Sequence, residues 1–105
     1  MLAKKFRLPI EDFVGKKGVL SKNPYFLVKI FRPAASFSRF GVTVSTKTSK
    51  KAVRRNYLRR LSYDVVDQTL KSLEIGDYWI VVQPAAASLP KEKFVEELAK
   101  ALKKL

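Results

Sequence analysis

The feature that most constrains the fold is a run of five consecutive apolar residues, Tyr78-Trp79-Ile80-Val81-Val82. A strand with one face in water alternates apolar and polar residues, whereas a strand buried on both faces is apolar at every position. Gly76 and Asp77 precede the run and favour a turn there. We therefore predict that residues 78–82 form a central strand of a sheet.

Two further strands are expected earlier in the chain. Residues 25–32 are rich in aromatic and β-branched side chains and lie between two prolines. Residues 37–45 alternate apolar with polar side chains. Because only residues 33–36 separate the two strands, we expect them to pair with each other as an antiparallel hairpin.

Three helices complete the predicted order. Residues 8–14 form a short helix that two glycines limit, and residues 52–73 form the longest one. The last helix is capped by Ser88 or a neighbour and has Pro90 in its first turn. It buries an apolar stripe of Phe94, Leu98, Ala101, Leu102 and Leu105. The order αββαβα predicts a single α+β domain over residues 1–105.

The long helix has two different faces. Leu58, Leu61 and Val65 recur at the spacing of a buried stripe. The residues expected to point away from this stripe, or to lie beside those that do, are Arg55, Asn56, Arg59, Arg60 and Tyr63. One side of the helix therefore packs and the other is cationic. Four aromatic residues elsewhere are expected in the core, because a small domain needs their buried area: Phe26, Phe40, Trp79 and Phe94.

Charge is distributed unevenly along the chain. The sequence has 22 Lys and Arg residues against 9 Asp and Glu residues, a formal net charge of +13. No acidic residue lies between Phe13 and Tyr63, and the basic residues in that stretch are Lys16, Lys17, Lys22, Lys29, Arg32, Arg39, Lys47, Lys50, Lys51, Arg54, Arg55, Arg59 and Arg60. A solvated surface normally mixes both signs. We therefore interpret the stretch as a binding face for a polyanion, whose phosphates release counterions on binding.

The basic residues are densest at residues 47–60, where half of the side chains are Lys or Arg. This cluster includes the start of the long helix, where positive charge opposes the helix dipole by about 0.3–1 kcal/mol per residue. A sequence that keeps such charges is typical of a phosphate-binding surface, to which the helix amides would add. Arg predominates on the helix itself, which suits bidentate phosphate contacts.

Other function classes are disfavoured by what the sequence lacks. It has no Cys and no His, so thiolate chemistry, the usual general base and the commonest metal ligand are missing. Its scattered carboxylates indicate neither a catalytic residue nor a metal site. The N-terminus lacks the apolar core of a signal peptide, and no apolar run approaches the roughly 18 residues of a membrane span. We expect a cytoplasmic protein with no membrane partner.

The basic cluster carries a family resemblance. The bacterial ribonuclease P protein family has a signature, R-N-R-x-[KR]-R, that is similar to Arg55-Asn56-Tyr57-Leu58-Arg59-Arg60. The residues before it, Val44-Ser45, Lys47 and Lys50-Lys51-Ala52-Val53, resemble the family as well. Further segments match in the same order: Phe6-Arg7-Leu8, Asp12-Phe13, Ser38-Arg39-Phe40-Gly41-Val42, and Gly76-Asp77-Tyr78-Trp79-Ile80-Val81-Val82 followed by a capped C-terminal helix. The resemblance covers nearly the whole chain.

The resemblance implies an α+β fold like the second domain of one small-subunit ribosomal protein and a domain of elongation factor G, with a left-handed βαβ crossover. It implies the non-catalytic protein subunit of an endonuclease, ribonuclease P. The partners would be a catalytic RNA, which holds Mg²⁺, and precursor tRNA, whose 5′ leader is removed. Residues implied to bind the catalytic RNA are Lys47, Lys50, Lys51, Arg54, Arg55, Asn56, Arg59 and Arg60. Residues implied to line a leader cleft between helix and sheet are Phe13, Lys29, Ser45, Lys51 and Tyr63.

Several positions differ from the family pattern. Tyr57 stands where the signature has Arg, and Tyr63-Asp64 stands where the family usually has Arg-Glu. Lys29 falls where an aromatic residue often lines the leader cleft, and Gln83 replaces a frequently basic residue. These differences bear on the aromatic leader contacts more than on the fold or the phosphate contacts.

Two other functions stay open at this point. A general RNA- or DNA-binding protein, ribosomal or architectural, explains the charge equally well but not the ordered match. Equal binding to duplex DNA, bulk RNA and ribonuclease P RNA would favour it. A self-sufficient nuclease would need a metal cluster or an acid–base pair, and the residues provide neither. Self-association is not indicated in either direction.

Overall fold

The computed structural model describes residues 6–33, 36–69 and 72–103. Their main elements are β1 (Val19–Lys22), β2 (Phe26–Phe31), β3 (Arg39–Val44), α1 (Ala52–Thr69), β4 (Asp77–Val82) and α2 (Lys91–Lys103). Short 3₁₀ helices lie at Ile10–Asp12 and Pro84–Ser88.

Strand β4 lies in the interior of a sheet with the order β1-β2-β4-β3, which confirms the central strand predicted from its apolar run. It pairs antiparallel with β2 and parallel with β3. The predicted hairpin between β2 and β3 is therefore wrong, because β4 lies between them. An all-apolar strand is more stable between two neighbouring strands than at the edge of a sheet. Strands β3 and β4 are parallel and are connected by α1, so that they form a βαβ unit. The hand of that crossover stays a prediction.

Strand β1 was not predicted from the sequence. It pairs antiparallel with β2, from Val19 opposite Ile30 to Lys22 opposite Leu27. The turn between the two strands is held by Asn23, whose Oδ1 accepts hydrogen bonds from the backbone N–H groups of residues 25 and 26 at 2.8 and 2.7 Å. A four-residue strand that is mostly exposed leaves little periodicity to detect.

The main core lies between one face of the sheet and the two helices. From the sheet it receives Phe26, Val28, Phe40, Val42, Val44, Tyr78, Ile80 and Val82. Helix α1 contributes Leu58, Leu61 and Val65, which confirms the predicted stripe. Helix α2 contributes the predicted Phe94, Leu98, Ala101 and Leu102, while Leu105 lies outside the described residues.

The N-terminal segment covers part of the other face of the sheet. A second cluster there consists of Leu8, Phe13 and Phe31, with Ile10 and Trp79 packed against it. Gly41 of β3 makes the contact possible, because a Cβ at this position would lie 2.6 Å from Cγ1 of Ile10. The segment therefore sits directly on the backbone of β3.

This packing corrects two expectations. The helix predicted over residues 8–14 contains only the 3₁₀ turn Ile10–Asp12, because the backbone of Pro9 is not helical and Gly15 has a φ of 83°. Trp79 is only half-buried and belongs to the second cluster, unlike the fully buried Phe26 and Phe40. Because Tyr78 and Ile80 on either side of it face the helices, Trp79 points to the opposite face of the sheet.

A partly buried ion pair joins the first residues of β3 and β4. Arg39 and Asp77 are directly opposite in the parallel register. Arg39 donates through Nε and Nη2 to the two carboxylate oxygens at 3.2 and 2.8 Å. Asp77 is fully buried, and its hydrogen bond with Arg39 raises the pKa of the guanidinium. The pair adds a charged, hydrogen-bonded contact between the side chains at the start of two strands that pair through their backbones.

The helix ends also differ from those expected. Helix α1 ends at Thr69 rather than at residue 73. Helix α2 begins after Pro90, whose carbonyl oxygen accepts the hydrogen bond from the Phe94 N–H at 2.9 Å. Ser88 does not cap it, since its hydroxyl donates to the carbonyl of Ala85.

The packing of α1 generates a stability prediction. Leu61→Ala should lower the free energy of unfolding by about 2–5 kcal/mol, because the lost side chain leaves a cavity in the main core. The matched control on the same helix is Val53→Ala, which removes an 82% exposed side chain and should change stability by about 0.5 kcal/mol or less. Urea denaturation of both variants provides the measurement. Equal stability of the two would mean that α1 packs through another face.

Candidate nucleic-acid interface

The basic cluster forms a surface at the start of α1, which we call the basic surface (residues 45–60). The loop that leads from β3 into α1 is attached at two points. The Thr48 hydroxyl donates to the carbonyl of Val82 at 3.0 Å, and Arg55 Nη1 donates to the carbonyl of Ser49 at 2.9 Å. The side chains exposed on this attached loop are Ser45, Thr46, Lys47, Lys50 and Lys51. The lysines therefore project from a backbone that is fixed to both the sheet and the helix.

The predicted RNA-binding residues of α1 do not form one row. Asn56, Arg59 and Arg60 lie on one flank, where they line a pocket of about 210 Å³. Arg54 lies on the other flank, where it donates to the carbonyl of Ala87 at 2.9 Å. Two of the eight predicted residues, Arg54 and Arg55, thus also hold neighbouring backbone in place.

Tyr57 lies next to Arg54 on the second flank. Its ring is 38% exposed, and the Arg54 guanidinium carbon lies 5.1 Å from the ring centroid. Both residues line a groove with Leu89, Pro90 and Lys91. The side chain that replaces the signature arginine is therefore an accessible aromatic ring with a cation against it.

The pocket on the first flank contains Tyr63, which we expected to point away from the buried stripe. That expectation is wrong: Tyr63 is buried, and its hydroxyl accepts a hydrogen bond from the Val42 N–H at 3.3 Å. The Arg7 guanidinium carbon lies 5.7 Å from the Tyr63 ring centroid. Tyr63 therefore lines the pocket and is hydrogen-bonded to the backbone of the edge strand β3.

Arg7 is a pocket residue that sequence reasoning missed. It lines the pocket together with Asn56, Arg59, Arg60 and Tyr63. The segment that contains it was recognised in the resemblance, but no periodicity connects residue 7 with α1. Only the path of the N-terminal segment over β3 brings them together.

The predicted leader-cleft residues fall into separate places. Phe13 and Lys29 share the sheet face away from the helices. Lys29 and Phe31 are two residues apart on β2 and so point to the same face, and Phe31 contacts Phe13. Ser45 and Lys51 are exposed at the two ends of the loop after β3, and Tyr63 lies in the pocket of α1. The predicted leader-cleft residues are thus divided between the sheet face and the region of the basic surface, and they do not form one compact site.

Phe13 and Lys29 have defined surroundings on the sheet face. Phe13 is only 7% exposed, with its ring centroid 4.9 Å from that of Phe31 and Lys16 Nζ 4.7 Å from its own centroid. Lys29 Nζ lies 4.6 Å from the centroid of the Trp79 ring. Lys29 is therefore tolerated because it faces away from the main core, over an aromatic ring.

The charges of α2 are arranged differently. Lys100 Nζ lies 3.1 Å from Glu96 Oε1, and this hydrogen bond lowers the pKa of Glu96 and raises that of Lys100. The basic surface contains no Asp or Glu in its sequence. Cations on α2 are thus partly balanced within their own helix, whereas those of the basic surface are available to an external anion.

The described residues form neither a metal site nor a membrane-spanning helix. Within residues 6–33, 36–69 and 72–103, no three His, Cys, Asp or Glu side chains come together in a way that could hold a metal ion. None of the described helices is both long and apolar enough to cross a membrane.

Comparison with known proteins identifies the family. Residues 11–105 match the ribonuclease P family. The ribonuclease P protein component of Synechocystis is 42% identical over 92 residues, which cover 84% of this chain and 74% of that protein. The protein component of Microcystis aeruginosa is 40% identical over 70 residues, which cover 64% of this chain and 57% of that protein.

Solved structures agree with the sequence matches. A mutant of the Staphylococcus aureus RNase P protein with defective mRNA degradation activity has a TM-score of 0.87 at 25% identity, over 96% of this chain and 88% of that chain. The RNase P protein from Thermotoga maritima has a TM-score of 0.83 at 26% identity, over 94% of this chain and 96% of that chain. These likenesses confirm the predicted α+β fold. On this family match and these relatives, the chain belongs to the ribonuclease P protein family.

Proposed function

We propose that the protein acts as the protein subunit of ribonuclease P, a single RNA-binding domain over residues 1–105 that works in the cytoplasm. It binds the catalytic RNA through the basic surface and the 5′ leader of precursor tRNA through the sheet face that carries Phe13 and Lys29. The catalytic RNA performs the cleavage and holds the Mg²⁺. The observation that carries the proposal is the basic surface, which contains no acidic residue in sequence and whose lysines and Arg60 are exposed on the attached loop and the adjoining helix.

The basic surface suits an RNA backbone for a physical reason. The loop is bonded to β4 through Thr48 and to α1 through Arg55, so little backbone freedom has to be lost when RNA binds. Each phosphate that a Lys or Arg neutralises releases counterions, which favours binding at low salt. The first turn of α1 adds its unpaired N–H groups and its positive dipole end.

The sheet face suits a single strand. Proteins hold single-stranded nucleic acid by combining cations with aromatic rings. Lys29 over Trp79 and Lys16 over Phe13 give two such combinations on one face. Because Phe13 is largely buried, we expect it to meet the leader through the edge of its ring rather than through an open face.

The division of labour is tested by reconstitution. With the cognate RNA, the protein should lower the Mg²⁺ concentration needed for precursor-tRNA cleavage, because its cations offset repulsion between two RNAs that Mg²⁺ would otherwise screen. Rigorously RNA-free protein should be inactive. Cleavage by the protein alone would overturn the proposal, and equal affinity for ribonuclease P RNA, bulk RNA and duplex DNA would favour a general nucleic-acid-binding protein instead.

The basic surface is tested by its salt dependence. Replacing Arg59 and Arg60 together by Ala should make the slope of log affinity against log salt shallower by roughly 1.4–1.8 units, the value expected for two phosphate contacts. Folding should change by about 0.5 kcal/mol or less, since neither side chain belongs to the core. The matched control removes two exposed cations near the far end of α2, Lys100 and Lys103, and should keep the full slope.

Thermal melts accompany the affinity measurements for both double variants. An arginine variant that melts early yet keeps the full salt slope would show that the faces of α1 are assigned the wrong way round. The RNA surface would then lie elsewhere on the protein.

The sheet face is tested with precursor and mature tRNA in the reconstituted holoenzyme. Phe13→Ala should weaken binding of the precursor more than binding of the mature tRNA, by up to the roughly 1–3 kcal/mol of a full stacking contact, because only the precursor carries a leader. The variant also loses buried area, so the comparison is made at a temperature where melts show it to be folded. Val14→Ala, which removes an exposed neighbouring side chain, is the control. An unchanged ratio for Phe13→Ala would remove this residue from the leader site.

A further inference from the structure

The pocket beside α1 brings three arginines together from two parts of the chain. Arg59 and Arg60 approach from α1, and Arg7 approaches from the N-terminal segment. The other lining residues are Asn56 and Tyr63, so the lining contains no carboxylate. Asp64, one turn after Arg60, is not among the lining residues. Three like charges around one concavity favour an anion within it.

Arg7 is placed by the backbone rather than by its own charge. The Leu8 N–H donates to the carbonyl of Phe40 at 2.8 Å, and residues 7 and 40 form a parallel bridge. The side chain of Leu8 is buried in the second cluster, against the glycine of β3. In extended backbone, neighbouring side chains point to opposite sides, so burial of Leu8 directs Arg7 towards α1.

The opposite wall of the pocket is also held in place. Tyr63 is fixed by its hydrogen bond to the edge of β3, and its ring supports the Arg7 guanidinium at 5.7 Å. Arg59 Nη1 donates to Asn56 Oδ1 at 2.8 Å, which orients its guanidinium and leaves other N–H groups for a ligand. Arg60 is exposed at the rim.

The chemistry of this lining selects the ligand. Guanidinium groups bind phosphate oxygens through paired N–H donors in a plane, and several donors around a concavity can hold one stretch of backbone from two sides. The pocket holds about 210 Å³ and is open to solvent on the same flank as the basic surface. A phosphate of the RNA that binds Arg59 and Arg60 can therefore enter it.

We propose that Arg7 is an RNA-binding residue, which donates to the phosphate backbone of the catalytic RNA across the pocket from Arg59 and Arg60. The proposal rests on the proposed function, since it requires the catalytic RNA to lie on this flank of α1. It adds a contact from the N-terminal segment to a surface otherwise built from the loop and helix of residues 45–60.

The test is the salt dependence of catalytic-RNA binding for Arg7→Gln, which keeps a polar side chain of similar reach but removes the charge. Affinity should fall about tenfold, the loss expected for one charged hydrogen-bonded contact. The slope of log affinity against log salt should become shallower by roughly 0.7–0.9 units. Arg7→Lys should keep the slope, because it keeps the charge. Lys103→Gln removes an exposed cation in the last turn of α2, outside the stretch without acidic residues, and should change neither quantity.

The outcomes separate this proposal from the one on which it rests. Suppose that Arg7→Gln keeps the full slope while the Arg59 and Arg60 double variant has a shallower one. Arg7 then only supports the Tyr63 ring, and the proposal fails. If both keep the full slope, the proposed RNA surface fails as well. A loss of affinity with an earlier melt but no change in slope assigns Arg7 a structural role and also overturns the proposal. Since the slope is measured on folded protein, a moderate loss of stability leaves the test decisive.

Discussion

Strand β4 is apolar on both faces, and most of the architecture follows from the need to cover them. Its even residues meet the two helices, while Trp79 faces the other way and needs a different cover. The N-terminal segment supplies that cover by packing Leu8, Ile10 and Phe13 over the sheet. Gly41 allows the segment to approach, because any Cβ there would collide with Ile10. A segment with only one 3₁₀ turn thus covers part of the face that a second helical layer would otherwise cover.

The position of this segment shapes the functional surface. By pairing with the edge of β3, it satisfies the Phe40 carbonyl and brings a third arginine next to α1. Tyr63 satisfies the neighbouring Val42 N–H from the helix side. An edge strand with free backbone groups is a site for unwanted pairing, and here both kinds of group are covered by residues that also build the pocket. The same arrangement therefore protects the sheet edge and builds the arginine-lined pocket.

The basic surface contains two kinds of cation. Arg54 and Arg55 donate to backbone carbonyls, so their positions are fixed by the fold. The lysines of the loop and Arg60 are exposed and project into solvent. The cations at the start of α1, which oppose the helix dipole, are thus of two kinds: arginines that hold neighbouring backbone, and residues whose charge stays open to solvent. Where the family signature has an arginine, this chain presents Tyr57 against Arg54.

Periodic features were predictable from the sequence, whereas contacts between distant segments were not. The apolar run of β4 and the Leu58, Leu61 and Val65 stripe are local patterns that burial enforces, and both are confirmed. The pairing of β2 and β3 was predicted wrongly because chain proximity says nothing about a strand that enters between them later. The burial of Tyr63, the Arg39–Asp77 pair and the placement of Arg7 all depend on residues more than 20 positions apart or on different elements. No single-helix or single-strand period carries such information.

The environment of Trp79 gives the molecule an optical property. It is the sole tryptophan of the chain, its indole N–H donates to the Thr43 hydroxyl at 2.9 Å, and the Lys29 ammonium lies against its ring. Indole emission responds to charge and solvent at the ring, and both would change when a nucleic acid strand displaced or paired with that ammonium. A strand that binds the sheet face should therefore change the tryptophan emission, which can be followed without a label.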